Sequence, residues 1–411
     1  MSPTPSRPPT PADPRPARQS LAIAAVTLAI QNGIVMAFAV LYLPLIAEFG
    51  ASRGEVATVQ AAVLLLGGFG SPLIGWAFDR LGPRRLFQGG AVLTAAAFAV
   101  ASRAGSLPLL VVSYGIVGGL GLSTLGSQAN LVVAALWFPT ARGRAIAVAD
   151  LGTGFGAFAF TLLGQALVVA LGWRATLLVW AALLLAVVAP LNAFQRLPPR
   201  EPAGADARRA AGPTLGAALR SAPFWWLAAM RFFGACAFPL LNTHMVAYAI
   251  GQGVAPPTAA AALGAVSLVS LAGRLTTGWL SDRVGRPETL TLAYASAALG
   301  IGALSLLAIT GSPAWLVVYV ALYGMAQGSS GIVASARAAD VFAGASFGAI
   351  YGWLSLAIGP GEALGAWAGG RFFDVWDSYL PAFGFAVAAL AAGLVAIWRV
   401  RPAEPRRPGS T

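Results

Sequence analysis

Long apolar runs alternate with short polar segments along most of this 411-residue chain. Twelve of the runs are close to the roughly 20 residues that an α-helix needs to cross a bilayer. They lie at about 21–46, 56–78, 86–103, 107–136, 145–171, 174–194, 223–250, 257–280, 288–310, 314–339, 345–371 and 379–399. The pattern predicts an all-α polytopic membrane protein with twelve transmembrane helices.

The polar segments divide the predicted helices into two sets of six. Residues 1–18 are rich in proline, which predicts a disordered cytoplasmic tail. The arginine-rich segment 196–222 predicts a cytoplasmic linker between an N-terminal bundle at 19–195 and a C-terminal bundle at 223–400. Residues 401–411 are expected to form a second cytoplasmic tail.

Composition supports a membrane location. Hydrophobic residues make up 58% of the chain and charged residues 10%, which is too apolar for a soluble globule. The net charge of +12 would suggest nucleic acid in a soluble protein, but the arginines lie mostly in short loops on one side of the predicted spans. By the positive-inside rule, this asymmetry predicts an integral protein of the inner (plasma) membrane with both termini cytoplasmic and no nucleic-acid partner.

The sequence offers no basis for enzymatic chemistry. It contains no phosphate-binding loop, metal-ligand cluster or nucleophile–base constellation, so we expect no ATP hydrolysis, no cofactor and no catalytic or metal-binding residues. Cys236 is the only cysteine and lysine is absent, which excludes a disulfide framework and lysine-based proton chemistry.

Two charged turns share the spacing G-W-x-x-D-R-x-G, at 75–82 after the second predicted helix and at 278–285 after the eighth. The repeat indicates that the chain is a duplication. We expect the turns to act as a gate at the cytoplasmic ends of the two bundles. Their charged side chains are Asp79, Arg80, Arg84, Asp282, Arg283 and Arg286.

Charged residues inside the predicted spans mark a candidate site. An arginine within a bilayer costs several kcal/mol unless it meets water, a counter-ion or an anionic ligand. Arg274 and Arg231 are therefore candidate ligands for an anion. At ~1.5 Å per residue, both lie at the level of Asp150, whereas Glu362 lies too far along its helix for a direct pair with Arg274 in a straight helix.

Neutral polar side chains in the spans are candidate hydrogen-bond partners for a substrate, namely Gln31, Asn32, Asn130, Asn242 and Tyr351. Glu362 and Asp150 are candidates for proton coupling. Glu362 has no partner at its depth, and a buried acid without one is favoured in its neutral form. The Gly-Pro-Gly sequence at 359–361 predicts a break in helix 11.

The twelve spans and the duplicated turn resemble the major facilitator superfamily of secondary transporters. Trp137-Phe138, Arg142-Gly143 and Gly273-Arg274 are similar to signatures of its branch of monocarboxylate porters and oxalate:formate antiporters. The resemblance implies two pseudo-symmetric six-helix bundles around a cavity that opens alternately to each side.

The resemblance also implies that Arg274 binds the substrate. Because helices 5 and 8 cross at the interface of the halves in this fold, the resemblance also implies an ion pair between Asp150 and Arg274, which can open to free the arginine for an anion. The branch commonly places an acid one turn before this arginine and a lysine in helix 1 or 11. This chain has Ser270 and no lysine, so the coupling mechanism does not carry over.

We therefore expect a monomeric secondary transporter for a small organic anion, a monocarboxylate, with proton coupling left open. One alternative is an exporter of hydrophobic or cationic compounds, with Glu362 and Asp150 as ligands. A second is a non-transporting sensor on a transporter scaffold, which a long appended domain would favour.

Overall fold

The computed structural model describes residues 14–138, 141–198, 212–344 and 346–400. Within these ranges the secondary structure is helical, without a β-strand. Eight helices are long and apolar enough to cross a membrane, or nine when the bent pair Arg53–Phe69 and Ser71–Ala101 counts as one span. The expected all-α membrane fold is confirmed.

Two of the helices contain a reversal of the chain. The run Arg144–Asn192 has 49 residues, so it would extend roughly 73 Å if straight, more than twice the ~30 Å hydrocarbon core. Gly172 divides this run and Gly82 divides Ser71–Ala101, with φ of 77° and 74°. Only glycine adopts these angles readily, and at each one helix ends and the next begins.

Divided at these two glycines, the described chain forms twelve long helices that match the twelve predicted spans. The first half contains α1 (Pro14–Phe49), α2 (Arg53–Phe69, continuing over 71–81), α3 (83–101), α4 (Leu107–Trp137), α5 (142–171) and α6 (173–192). The second contains α7 (Ala222–Gly251), α8 (Pro256–Val284), α9 (Arg286–Thr310), α10 (Ala314–Phe342), α11 (347–376) and α12 (Leu380–Arg399).

The predicted tails and linker lie partly outside the described residues. Residues 1–13, 199–211 and 401–411 are in this group. The boundary of the first tail was wrong, because α1 begins at Pro14, so residues 14–18 are helical. Proline fits there because the first turn of a helix has no intrahelical partner for its backbone N–H groups. In the linker, Leu215–Leu219 forms a short helix.

Besides α2, which is interrupted at Gly70, three helices are broken within their length. The fourth helix of each half is interrupted at a corresponding place, α4 at 125–126 and α10 at 327–328. α11 is interrupted between Ser355 and Ile358, earlier than predicted. Pro360 lies in the first turn of the segment Ile358–Trp376, where its missing N–H costs nothing, so the Gly-Pro-Gly sequence starts a helix instead of breaking one.

The halves meet along three helix pairs: α1 with α7, the Arg53–Phe69 segment of α2 with the Ile358–Trp376 segment of α11, and α5 with α8. Glycines allow close approach in these pairs. A Cβ atom on Gly359 would lie 2.8 Å from the Cα of Gly68, and one on Gly154 would lie 2.7 Å from the side chain of Leu271. These contacts place side chains of both halves around one central space.

Candidate functional site

A cavity of about 280 Å³ lies between the two halves. Helices α1 and α2 line it from the first half, and α7, α8, α10 and α11 from the second. Its charged side chains are Arg231, Arg274 and Glu362. The three intramembrane charges that the sequence singled out in the second half therefore face one space.

Arg274 projects from α8 and joins the two halves. Its Nη1 donates to the carboxylate of Asp150 and, at 3.3 Å, to the Thr153 hydroxyl, both on α5. The expected ion pair between halves is present. The Nε of Arg274 is buried without a partner in the described part of the chain.

The break in α10 makes room for this arginine. Gly328, at the break, has φ of 90°, and a Cβ atom there would lie 2.7 Å from Nε of Arg274. A larger residue would both strain the backbone and push the guanidinium aside.

Arg231 projects from α7 and is 7% exposed. Its Nη1 donates to the Tyr351 hydroxyl at 3.0 Å, and the guanidinium lies 5.1 Å from the centre of that ring. Tyr351 is not among the residues that line the cavity, so it orients Arg231 from behind. Nε of Arg231 is also buried and has no partner among the described residues.

Glu362 lies in the second segment of α11 and reaches the cavity together with Arg231, with which it interacts electrostatically. No ion pair joins Glu362 to Arg274 or to any other residue that the structure describes. Its carboxyl group is therefore available to a ligand or a proton.

The neutral candidates divide into two groups. Asn242 lines the cavity, is 8% exposed and has a buried Oδ1 without a partner in the described ranges. Gln31, Asn32 and Asn130 do not line the cavity. The Asn32 amide donates to the Thr153 carbonyl at 2.9 Å, which ties α1 to α5.

Asn130 serves the break in α4. Its Nδ2 donates at the break to the carbonyl oxygen of Leu125 at 2.8 Å and to that of Gly126 at 3.2 Å, which also accepts the backbone N–H of Asn130. The sequence suggested that Asn130 binds the substrate, whereas in this conformation its side chain stabilises the break in α4.

Sequence reasoning missed several residues of the lining. Gln60, Thr243 and Ser330 are polar residues within largely apolar predicted spans, the same signal that pointed to Asn242, and all three reach the cavity. The apolar residues Met36 and Leu64 also line it, and they carry no such signal.

We call the end of the bundle that carries the duplicated turns the motif end. In the second turn, Arg286 donates to Ser281 at 2.9 Å, to Asp282 at 2.5 Å and, from Nε, to Asp340 of α10 at 3.3 Å. In the first turn, Asp79 and Arg84 are exposed, and no hydrogen bond or ion pair links Asp79 to another described residue.

The duplication is retained in one further detail. Arg80 lies over the ring of Trp76 at 4.8 Å, and Arg283 lies over the ring of Trp279 at 4.1 Å. The two turns therefore share a cation–π contact and differ in the partners of the aspartate.

We expect Asp79→Asn to slow transport and leave substrate affinity nearly unchanged. The carboxylate has no described partner in this conformation, so it is free to hold a neighbouring helix end in the conformation that closes the motif end. Initial uptake rates measured beside the dissociation constant check this. A loss of affinity at an unchanged rate would contradict the assignment.

At the opposite end a cluster of side chains joins the halves. The carboxylate of Asp374 on α11 accepts the backbone N–H of Arg53 at 2.8 Å and of Gly54 at 2.7 Å, at the start of α2. Arg53 donates to the Tyr379 hydroxyl at 2.7 Å and lies 3.5 Å above the ring of Phe373. We call these residues the opposite-end latch, because they join the two halves at that end.

The Major Facilitator Superfamily model matches residues 21–336. Monocarboxylate transporter 13 of Bos taurus is 29% identical over 372 residues, which is 89% of this chain and 84% of that protein. The uncharacterized MFS-type transporter YcxA of Bacillus subtilis (strain 168) is 25% identical over 385 residues, 90% of this chain and 91% of the relative.

A solved structure shares the fold. A bacterial homologue of the human lysosomal transporter Spinster, in an inward-facing and occupied conformation, aligns with a TM-score of 0.70 at 17% identity, over 97% of this chain and 100% of that one.

Proposed function

The chain belongs to the Major Facilitator Superfamily, and on that premise we propose that it moves a small monocarboxylate across the membrane together with a proton. It is a multi-pass membrane transporter and not an enzyme. The proposal places the motif end and both termini in the cytoplasm, following the positive-inside rule.

One observation carries the proposal: two guanidinium groups, that of Arg231 buried and that of Arg274 partly exposed, face the same cavity between the halves together with one carboxyl group. A guanidinium presents two parallel N–H donors that match a carboxylate. Nη1 of Arg274 is held by Asp150, and its Nη2 has no partner in the described part of the chain. Arg274 can therefore bind a carboxylate while the ion pair is intact, or with its whole fork once the pair opens.

The charges around the cavity support coupling to a proton. The negative charge of Asp150 balances the positive charge of Arg274, and an ionised Glu362 balances Arg231, so the net charge of the four groups is zero. Protonation of Glu362 leaves one positive charge, which a bound carboxylate neutralises. An unbalanced charge is costly in a medium of low dielectric constant, so the carboxylate and the proton are expected to bind together.

Glu362→Gln tests this proposal, because the amide fixes the neutral form of the side chain. In proteoliposomes, the parent is expected to accumulate a radiolabelled monocarboxylate when a proton gradient is imposed. The variant is expected to bind the anion with an affinity that no longer falls as pH rises, and to lose uphill accumulation while it retains exchange of labelled for unlabelled substrate.

Glu288→Gln is the matched control, since this glutamate is exposed at the start of α9 and should leave accumulation unchanged. Full gradient-driven accumulation by Glu362→Gln would show that Glu362 does not carry the proton. Binding of a lipophilic cation in place of carboxylates would favour the exporter alternative, in which Glu362 is the ligand.

A further inference from the structure

The lining of the cavity is polar on one side only. All of its charged residues come from the second half, as do Asn242, Thr243, Gln327 and Ser330. The first half contributes Val35, Met36, Phe38, Ala39, Leu64 and a single polar residue, Gln60. We call the five apolar residues of the first half the apolar wall.

Gln60 does not make this wall polar. Its Nε2 donates to the Val35 carbonyl at 3.2 Å, within the first half. Its Oε1 is buried without a partner in the described part of the chain, and the residue as a whole is 4% exposed. The amide donor is therefore used within the first half, and its oxygen is an acceptor, which cannot bond a carboxylate.

Met36 and Leu64, in contrast, are only partly buried although each packs against the core. They lie on different helices, α1 and α2, and both border the cavity. The second half adds apolar contacts from Phe238 and Ile358. A ligand held by the arginines therefore meets apolar side chains over the remainder of its surface.

We infer that the substrate is an amphipathic monocarboxylate, whose carboxylate binds Arg231 and Arg274 and whose short branched chain or single ring packs on the apolar wall. This inference rests on the proposed function. A second carboxylate or several hydroxyl groups would lose water against the wall without gaining partners, which is unfavourable. The cavity of about 280 Å³ is slightly below the ~300–1,000 Å³ of pockets for drug-sized ligands, so the apolar part is small.

Isothermal titration of the purified full-length protein with acetate, butyrate, hexanoate and phenylacetate tests the inference. Each methylene buried on the wall is expected to raise the affinity about fourfold until the cavity is filled. Succinate and gluconate, which present a second carboxylate or several hydroxyl groups, are expected to bind at least about tenfold more weakly than hexanoate.

The variants Leu64→Ala and Met36→Ala test whether the apolar wall causes the rise in affinity with chain length. Each is expected to lower the affinity for hexanoate and phenylacetate about tenfold and to leave the affinity for acetate unchanged, because acetate does not reach the wall. Leu73→Ala is the matched control, since Leu73 lies farther along α2, is 54% exposed and does not line the cavity. The titrations of the parent protein decide the question even if a wall variant fails to fold.

The possible failures are distinguishable. The inference of an amphipathic substrate is wrong if carboxylates bind but their affinity stays flat or falls with chain length, or if succinate or gluconate binds most tightly. The proposal that the arginines bind a carboxylate is not overturned by that result. If none of the carboxylates binds, both are overturned.

Discussion

Arg274→Lys is expected to weaken monocarboxylate binding by about 1.5–3 kcal/mol, roughly ten- to a hundredfold in Kd. The guanidinium can hold Asp150 and Thr153 with one nitrogen and still offer its second to a carboxylate. A lysine ammonium is a single point of charge and cannot reproduce this fork. Titration of the purified variants measures the effect.

Arg399→Lys is the matched control, because Arg399 is exposed at the end of α12, lies over Trp226 near the start of α7 and does not line the cavity. It should bind the substrate as the parent does.

A different result is expected if Arg274 acts only as a gate. Asp150→Asn would then change the balance between the two conformations and leave the affinity of the binding-competent one intact. A double-mutant cycle with Arg274→Lys separates the roles, because contacting residues show a coupling energy and independent ones add. Unchanged binding by Arg274→Lys, with a conformational balance coupled to Asp150, would remove the main support for a monocarboxylate.

Much of the fold follows from the sequence because a bilayer imposes both length and hydrophobicity on each span. The predicted spans at 145–171 and 174–194 are one helical run in the structure, yet the prediction divided it correctly, since Gly172 supplies a turn that other residues adopt only with strain. The ion pair of Arg274 was also expected, because an arginine inside a membrane needs a partner and the resembled fold implies that helices 5 and 8 cross at the interface of the halves.

The neutral polar residues were harder to place. Asn130 and Asn242 look alike in the sequence, as amides within predicted spans that are otherwise largely apolar. One bonds carbonyl groups at the break in α4, and the other lines the cavity. Which role an amide takes depends on where a helix is interrupted and on which face packs against a neighbour, and a pattern of residue types records neither.

The apolar wall could not be predicted for the same reason. Met36 and Leu64 lie in runs where most residues are apolar, and residues that face lipid, core or cavity have the same composition. Only the packing of α1 and α2 against the second half separates them. The different partners of Asp79 and Asp282, in contrast, follow from the sequence, because Arg286 lies four residues after Asp282 and Pro83 lies four residues after Asp79.

Asp374→Asn is expected to shift the conformational balance towards the form that is open at the opposite end. In the structure the carboxylate accepts two backbone N–H groups at the start of α2. These groups have no partner within their own helix, and the helix dipole adds to their attraction for a negative charge. The amide of asparagine has one acceptor and would turn a donor towards the second N–H.

The size of the shift in conformational balance depends on the hydrogen bonds that water replaces when this end opens. When the halves separate at this end, water hydrates both the carboxylate and the N–H groups, so only the closed form depends on the latch. Hydrogen bonds to a charged group contribute about 1.5–3 kcal/mol each, and partial exposure of Asp374 reduces that gain. A net change of about 2 kcal/mol alters the ratio of the two forms roughly thirtyfold.

Spin labels on the two halves can measure this ratio. In a background with Cys236→Ser, labels at Ser106→Cys and Ala314→Cys would lie at exposed positions of the opposite end, one in each half. Double electron–electron resonance should show that long distances between the two labels are more populated in Asp374→Asn than in the parent protein. Asp377→Asn is the matched control, because the carboxylate of Asp377 is exposed and forms no ion pair with a described residue, although it lies only three residues after Asp374. The backbone of Asp377 has φ of 49°, a conformation that asparagine also tolerates. Equal distance distributions in the two variants would show that packing of α2 on α11, and not the charge of Asp374, closes this end of the transporter.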